Sequence, residues 1–292
     1  MHMEQACLLE IKELSVSYGE KKALDAVSFA VSPGITVGIL GESGSGKSTL
    51  LKAVAGLLEP PAAADGDILY QGQSLLHGQD AVKRKLMGNE ITMIFQNPES
   101  YLDPVKRIGR QMEEILFLHG YRNKKEAGKK AAELLRSLAL SDPDSVLNSY
   151  PFELSGGMCQ RVSIAMAAAG SRTKLMLADE PTSALDQVVR RTTAELIQQV
   201  QKQTNAALLL VTHDMRLARQ LADQIGIMYR GRMVEWGTSG EVLQSPCHPY
   251  TKNLLEAVPS PESDFSRFRR YLEKEKSEKT KEWISETHWV LK

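Results

Sequence analysis

The chain has 292 residues, 42% of them hydrophobic and 25% charged, with 36 Lys plus Arg balancing 36 Asp plus Glu. That length and apolar content suit one large α/β domain or a domain with a smaller lobe, and a formal net charge of zero gives no basis for a basic nucleic-acid surface or electrostatic attachment to lipid. Cys7, Cys159 and Cys247 are scattered and form no CxxC pair, so a reduced, cytosolic protein is the simplest reading.

The N-terminal stretch "MHMEQACLLEIKELSVSYG" carries acidic residues where a signal peptide needs an apolar core. No apolar run approaches the roughly 20 residues that span a bilayer. The expectation is a chain that is not itself a channel and that could serve transport only as a subunit. "LLEIKELSVSYGEKKALDAVSFAVSPG" alternates apolar and polar residues between turn residues, which predicts antiparallel strands. "ITVGIL" (35–40) reads as a buried strand running into a glycine-rich loop, "TLLKAVAGLLEP" as the helix that follows, and "GDILYQGQSL" (66–75) as another strand pair.

"ITMIFQ" (91–96), "KLMLADE" (174–180) and "ALLLVTHD" (207–214) read as short buried strands, each followed by a helix-like segment, the alternation of a parallel sheet with helices on both faces. Between them the pattern turns helical, so residues from about 97 to 170 are predicted to be an inserted α-helical subdomain. "IGIMYRGRMVEWG" (225–237) predicts a hairpin turning at Arg230-Gly231. The residues from 261 to 292 are rich in both charge signs and read as a solvated helix or loose tail, and there are no internal repeats.

"GESGSGKS", Gly41 to Ser48, fits G-x-x-x-x-G-K-[ST]. Glycines there let backbone N–H groups approach phosphates, Lys47 supplies charge to them, and Ser48 can ligate Mg²⁺. A glycine-rich turn can be merely a turn; here it leaves a buried strand and opens a helix, as phosphate binding requires. "LMLADE" ends an apolar run in Asp179 and Glu180, which puts two carboxylates at the carboxyl end of a buried strand, where ligands gather in open α/β sheets. Asp179 suits Mg²⁺ and Glu180 a general base, although alone the pair also reads as a cap before "PTSALD".

His213 and Gln96 each close a predicted strand of the same sheet, so a γ-phosphate contact and a water- or metal-orienting amide are within their reach, as are plain structural roles. Tyr18 closes "SVSYG" and can stack on a purine or pack as a half-buried strand residue. "LSGGMCQRVSIAMA" (154–167) reads as a second helix start with free N–H groups, a second anion site that one P-loop does not need.

Together, Tyr18, "GESGSGKST", Gln96, "LSGGM", "LMLADE", "SALD" and His213, in that order, resemble the ATP-binding subunits of ABC transporters over nearly the whole chain to about residue 260. The resemblance implies a P-loop NTPase core with a mainly parallel sheet, an N-terminal antiparallel β subdomain and the inserted helical subdomain, within one ABC-type domain of residues 1–260. It also implies ATP and Mg²⁺, with Glu180, His213 and Lys47 as catalytic residues and Ser48, Gln96 and Asp179 on the metal.

On the same ground Tyr18, Gly41, Glu42, Ser43, Gly44, Ser45, Gly46, Lys47, Ser48, Thr49 and Gln96 bind nucleotide. Ser155, Gly156 and Gly157 act in trans on the γ-phosphate held by a partner's P-loop, and "SALD" (183–186) crosses that dimer interface. The implied partners are two integral-membrane permease subunits, a second related ATP-binding subunit or a homodimer mate, and an extracytoplasmic solute-binding protein, with no nucleic acid. The implied place is the cytoplasmic face of the cell membrane, as a peripheral subunit.

"FQNPESYLDPVKRIGRQMEE" and "SPCHPYTKNLLEAVPSP" are similar to the oligopeptide, dipeptide and nickel importer branch. Three departures stand out: Cys159 inside the signature, Phe152 where many peptide-type relatives carry histidine, and no C-terminal cysteine cluster beyond Cys247. The last two favour a nickel or metal-chelate importer over a dipeptide or oligopeptide importer. A soluble ABC-type ATPase outside transport is the alternative from another class, but such chains usually carry two ATP domains or a long coiled coil.

Overall fold

The computed structural model describes residues 7–170, 172–182, 187–256 and 280–292. They divide into two compact units, residues 1–77 with 209–292, and residues 78–208.

The first unit opens with β1 (Leu9–Tyr18) and β2 (Lys21–Val31), joined by a tight turn in which Gly19 has φ +60. Leu9, Ile11, Leu14 and Val16 of β1 are all buried although Ile11 and Leu14 are three apart, out of step with a strand's period of two. A bulge reconciles them, because Glu13 takes φ +48 and the ladder shifts between Ile11 and Leu14. Next come β3 (Thr36–Leu40), every residue of which is buried, and α1 (Lys47–Val54). The strands β4 (Ala62–Tyr70) and β5 (Gln73–Ser74) complete an antiparallel sheet in the order β2-β1-β4-β5.

The second unit holds α2 (Asp80–Leu86), β6 (Ile91–Ile94), α3 (Ile108–Leu118), α4 (Lys124–Ser137), α5 (Pro143–Asn148), α6 (Gly156–Ala168), β7 (Leu175–Asp179) and α7 (Gln187–Thr204). Helix starts follow ordinary capping chemistry. Asn123 accepts from Glu126 N at 2.8 Å, and Asp142 accepts from Ser145 N at 3.0 Å with Pro143 in the first turn. Ile108, Met112 and Leu116 form a buried stripe at four-residue spacing on α3, answered by Ala127, Ala131 and Leu135 on α4. Helices α3 to α6 lie inside the stretch predicted as helical, and no strand interrupts them among the described residues. β6 and β7 pair in parallel, Ile91 opposite Leu175 and Ile94 opposite Ala178.

The chain returns to the first unit along β8 (Ala207–Thr212) and continues as α8 (Met215–Leu221), β9 (Gln224–Tyr229), β10 (Arg232–Thr238), α9 (Ser239–Gln244) and α10 (Pro249–Glu256). The hairpin between β9 and β10 turns at Arg230 (φ +45) and Gly231 (φ +83), where it was predicted. β11 (Lys281–Trp283) and β12 (Trp289–Leu291) end the chain, and the unit's larger sheet runs β11-β12-β10-β9-β3-β8. β3 and β9 pair in parallel, whereas the ladders of β9 with β10, β10 with β12, and β12 with β11 are antiparallel. The sheet is thus mixed, a parallel core with an antiparallel flank.

The flank corrects the reading of the last residues as a helix or loose tail. Residues 280–292 fold into a hairpin whose Trp289 and Val290 are each 4% exposed, with Lys281 Nζ over the Trp289 ring at 4.3 Å. The strands are too short, and their outer faces too charged, for the alternation to register. Residues 257–279 lie outside the described part.

Candidate nucleotide site

The P-loop is built by the first unit. β3 ends at Leu40, and the loop from Gly41 to Gly46 leads into α1, whose N-cap is Gly46 at φ +105 with no side-chain cap. A Cβ at Gly46 would stand 2.5 Å from Ala23 O, and one at Gly41 2.2 Å from Met228 O. Glycine is therefore required at both places by the closeness of β2 and β9. The turn of the β9–β10 hairpin clamps the same loop: Gly231 N donates to Ser45 O at 2.9 Å, and Asp25 N to Gly231 O at 2.8 Å. Arg232 pairs with Asp25 at 2.6 Å, and hydrogen bonds from Lys22 and Arg232 hold that carboxyl below its usual range.

Lys47, only 4% exposed, curls back into the loop and donates to Gly41 O at 2.8 Å and Glu42 O at 2.7 Å. Ser45 Oγ is buried without a hydrogen-bond partner among the described residues. A buried ammonium, the Ser45 hydroxyl and a helix start with no side-chain cap are groups suited to a phosphate. Ser48 and Thr49 lie in the first turn of α1, both half-buried; Ser43 and Gly44 at the loop tip are exposed, and Glu42 is half-buried. Tyr18 sits at the end of β1, opposite Lys21 of β2, two residues from the Ala23 that touches Gly46. Its half-buried ring is thus at the P-loop end of the antiparallel sheet.

The second unit carries the carboxylates. Asp179, 7% exposed, is the last residue of β7, and Glu180 follows with φ +43, a left-handed conformation uncommon for a non-glycine residue. Strain of this kind persists where the surroundings fix a side chain's direction. β6 ends at Ile94, two residues earlier than predicted, so Gln96 lies in the exposed loop beyond it. The parallel register of β6 and β7 puts Gln96 and Glu180 beyond the same edge. Gln96 and Asp179 of this unit, and Ser48 of the first, each offer an oxygen ligand, the donor type that Mg²⁺ takes.

The signature stretch is a second helix start of a different kind. Ser155 caps α6, its Oγ accepting from Met158 N at 3.3 Å, while Ser155 and Gly156 are exposed and Gly157 is half-buried. Beyond its first turn α6 is buried on nearly every side. Cys159 is wholly buried, its Sγ donating to Pro151 O at 3.5 Å. Burial, then the nearby Glu99, pushes its thiol up to about 11. It is a packing residue that leaves the glycines and Ser155 free at the surface.

His213 follows β8 in an exposed bend, and Asp214 caps α8 by accepting from Arg216 N at 2.8 Å and Leu217 N at 3.3 Å. "SALD" (183–186) lies outside the described residues. Sequence reasoning missed Tyr250. Glu42 N donates to Tyr250 Oη at 3.0 Å, so α10 holds the P-loop across 208 residues of sequence. The "HPYT" motif that contains it was read as a mark of the family branch, not as part of the site.

Residues 24–183 match the model of the ABC transporter family. This chain belongs to that family. Residues 234–282 match a second model, the oligopeptide/dipeptide transporter C-terminal region. The dipeptide transport ATP-binding protein DppD of Haemophilus influenzae is 42% identical over 257 residues, 86% of this chain and 78% of that protein. The oligopeptide transport ATP-binding protein OppD of Bacillus subtilis is 40% identical over 262 residues, 88% of this chain and 73% of that protein. Among solved structures, the dimeric post-hydrolysis state of the ATP-binding cassette MJ0796 bound to ADP and Pi superposes with a TM-score of 0.70. It is 29% identical and covers 79% of this chain and 98% of that one.

The chain is the ATPase subunit of an ABC importer. Those relatives are named for peptide transport, which corrects the preference for nickel. Phe152, one of the departures that favoured nickel, is 74% exposed and stacks on Tyr150 at 5.5 Å between centroids. No helix among the described residues is long and apolar enough to cross a membrane.

Proposed function

We propose that this ATPase energises import of short peptides through a site completed by a second ATP-binding chain, its own copy or a relative. The carrying observation is the exposed N-terminus of α6. A glycine start with free N–H groups in a chain that already has a P-loop has no phosphate of its own to bind. Ser155, Gly156 and Gly157 accordingly cap the γ-phosphate of the partner's ATP, and the partner's equivalents cap the phosphate held here.

Within this chain, N–H groups from Gly41 to Thr49 cradle the phosphates. Lys47 gives up its two loop carbonyls for the β- and γ-oxygens, where its charge stabilises the transferring group. Tyr18 stacks on the adenine. Ser48, Gln96 and Asp179 would hold Mg²⁺, which supplies charge neutralisation and orientation of the phosphate oxygens. Glu180 takes the proton of the attacking water, and His213 hydrogen-bonds the γ-phosphate. Closure of the two chains on ATP and reopening after hydrolysis drive two permease subunits at the inner face of the membrane. A solute-binding protein delivers the peptide from outside.

The test is uptake of a labelled dipeptide and of labelled nickel by cells carrying this chain or its Lys47→Ala variant. Peptide uptake is expected to fall to background in the variant while nickel uptake stays level. Loss of nickel uptake alone would overturn the peptide assignment and leave the ATPase assignment intact.

A further inference from the structure

Glu235 is a charged residue between the apolar Val234 and Trp236 of β10, and it is fully buried. A bulge brings it there, since the β9–β10 ladder shifts between Met233 and Glu235. One carboxylate oxygen accepts from Cys247 N at 2.7 Å and faces His288 Nε2 at 2.7 Å; the other accepts from His248 N at 3.0 Å. His288, 3% exposed, belongs to the terminal hairpin and packs over Gly237, where a Cβ would stand 3.2 Å from its Cδ2. Cys247 lies in the loop before α10 and is half-buried. A carboxylate oxygen, the Cys247 sulfur and a His288 ring nitrogen all lie within 4.8 Å of one another.

β10, the loop before α10 and the terminal hairpin thus bring one oxygen, one sulfur and one nitrogen ligand to a single point. We infer that Glu235, Cys247 and His288 form a mononuclear site for a zinc-like divalent cation that fastens the terminal hairpin and the loop before α10 to β10. The donor types are those of tetrahedral zinc, which takes thiolate, imidazole and carboxylate at about 2.0–2.3 Å and leaves a fourth position for water or the second carboxylate oxygen. On binding, coordination to the cation replaces the Glu235–His288 hydrogen bond, and the protons displaced from the ligands, that of the Cys247 thiol among them, leave to solvent. Burial and the Glu235 charge raise the Cys247 pKa, so the anionic corner disfavours a second negative charge until a cation compensates it. The two backbone N–H bonds to Glu235 fix the orientation of the carboxylate, the usual support of a metal ligand. Cys247, the most accessible of the three, marks the entry side.

Without a cation the same residues would serve only as a buried Glu–His hydrogen bond, and the experiment separates the two. The full chain is stripped with chelator in the absence of nucleotide, then titrated with Zn²⁺ against a chromophoric chelator and separately with Co²⁺. The expected result is one Zn²⁺ per chain and a thiolate-to-cobalt charge-transfer band in the wild type. Cys247→Ser should lose the band, His288→Gln should bind Zn²⁺ at least about tenfold more weakly, and Cys7→Ser should match the wild type. The cobalt band is read on the wild type, so the inference does not depend on any variant folding. A stripped wild type that takes up no Zn²⁺ and shows no cobalt–thiolate band would overturn the site, as would Cys247→Ser retaining wild-type affinity.

Discussion

Two helices of this chain begin at loops of glycine and serine, and they are built in opposite ways. The start of α1 is enclosed: Ala23, Met228, Gly231 and Tyr250 all press on it or bond to it, and its cap is a left-handed glycine with no side chain to compete for the N–H groups. The start of α6 is open, with Ser155 and Gly156 at the surface and Ser155 satisfying one N–H itself. The enclosed site is ready to hold a phosphate before any partner arrives. The open one presents its donors at the surface. Under the proposed function the two divide the labour of a single reaction, one retaining substrate and the other completing a partner's site.

The largest expected effect lies at the carboxyl end of β7. Glu180→Gln keeps the side chain's shape and removes its basicity, so phosphate release should fall by roughly a hundredfold or more while ATP binding persists. Phosphate release and equilibrium nucleotide binding on the same preparation check both halves of that statement.

A matched pair of alanines sharpens the contrast. Gly46→Ala places a Cβ 2.5 Å from a backbone oxygen at a positive φ, so it should lower the melting temperature by at least roughly 3 °C and abolish ATP binding. In Gly156→Ala the new Cβ meets only the movable Glu99 carboxylate, at 3.3 Å, and the melting temperature and ATP binding should stay at wild-type values. Equal destabilisation by the two would erase the difference between the helix starts.

Much of this was legible in the sequence because short motifs carry their own geometry. "GESGSGKST" requires a strand before it and a helix after it, and both are present. "LMLADE" likewise ends a buried strand at Asp179. What stayed hidden was long-range or low in contrast. Nothing near Glu42 announces that a tyrosine hydroxyl 208 positions later bonds its N–H. The hairpin at 280–292 has only Trp289, Val290 and His288 buried, too few residues for a strand period to stand out from the charges around them. Phe152 misled in the other direction: the relatives are named for peptide transport, and the residue is an exposed ring stacked on Tyr150.

Smaller effects follow from those hidden contacts. Tyr250→Phe removes one hydrogen bond and leaves the ring against Tyr229, which costs about 1 kcal/mol and should weaken ATP binding roughly fivefold, read by nucleotide titration. At the terminal hairpin, burial opposes ionisation of Glu241, but hydrogen bonds from Ser285, Thr238 and Thr287 outweigh it and hold the pKa at about 2, below the ordinary 4.5. A depressed carboxyl pKa adds stability that is fully present above pH 4.5 and is lost as pH falls toward 2. Denaturant unfolding as a function of pH should show that acid limb flattened in Glu241→Gln.

The most direct test of the divided site compares Lys47→Ala with Ser155→Arg, measuring ATP binding and phosphate release for each. Lys47→Ala should lose both. Ser155→Arg should bind ATP as the wild type does and yet release phosphate at least roughly a hundredfold more slowly, because the donor it blocks serves another chain's nucleotide. Ser155→Arg weakening ATP binding as severely as Lys47→Ala, or releasing phosphate at the wild-type rate, would contradict the account.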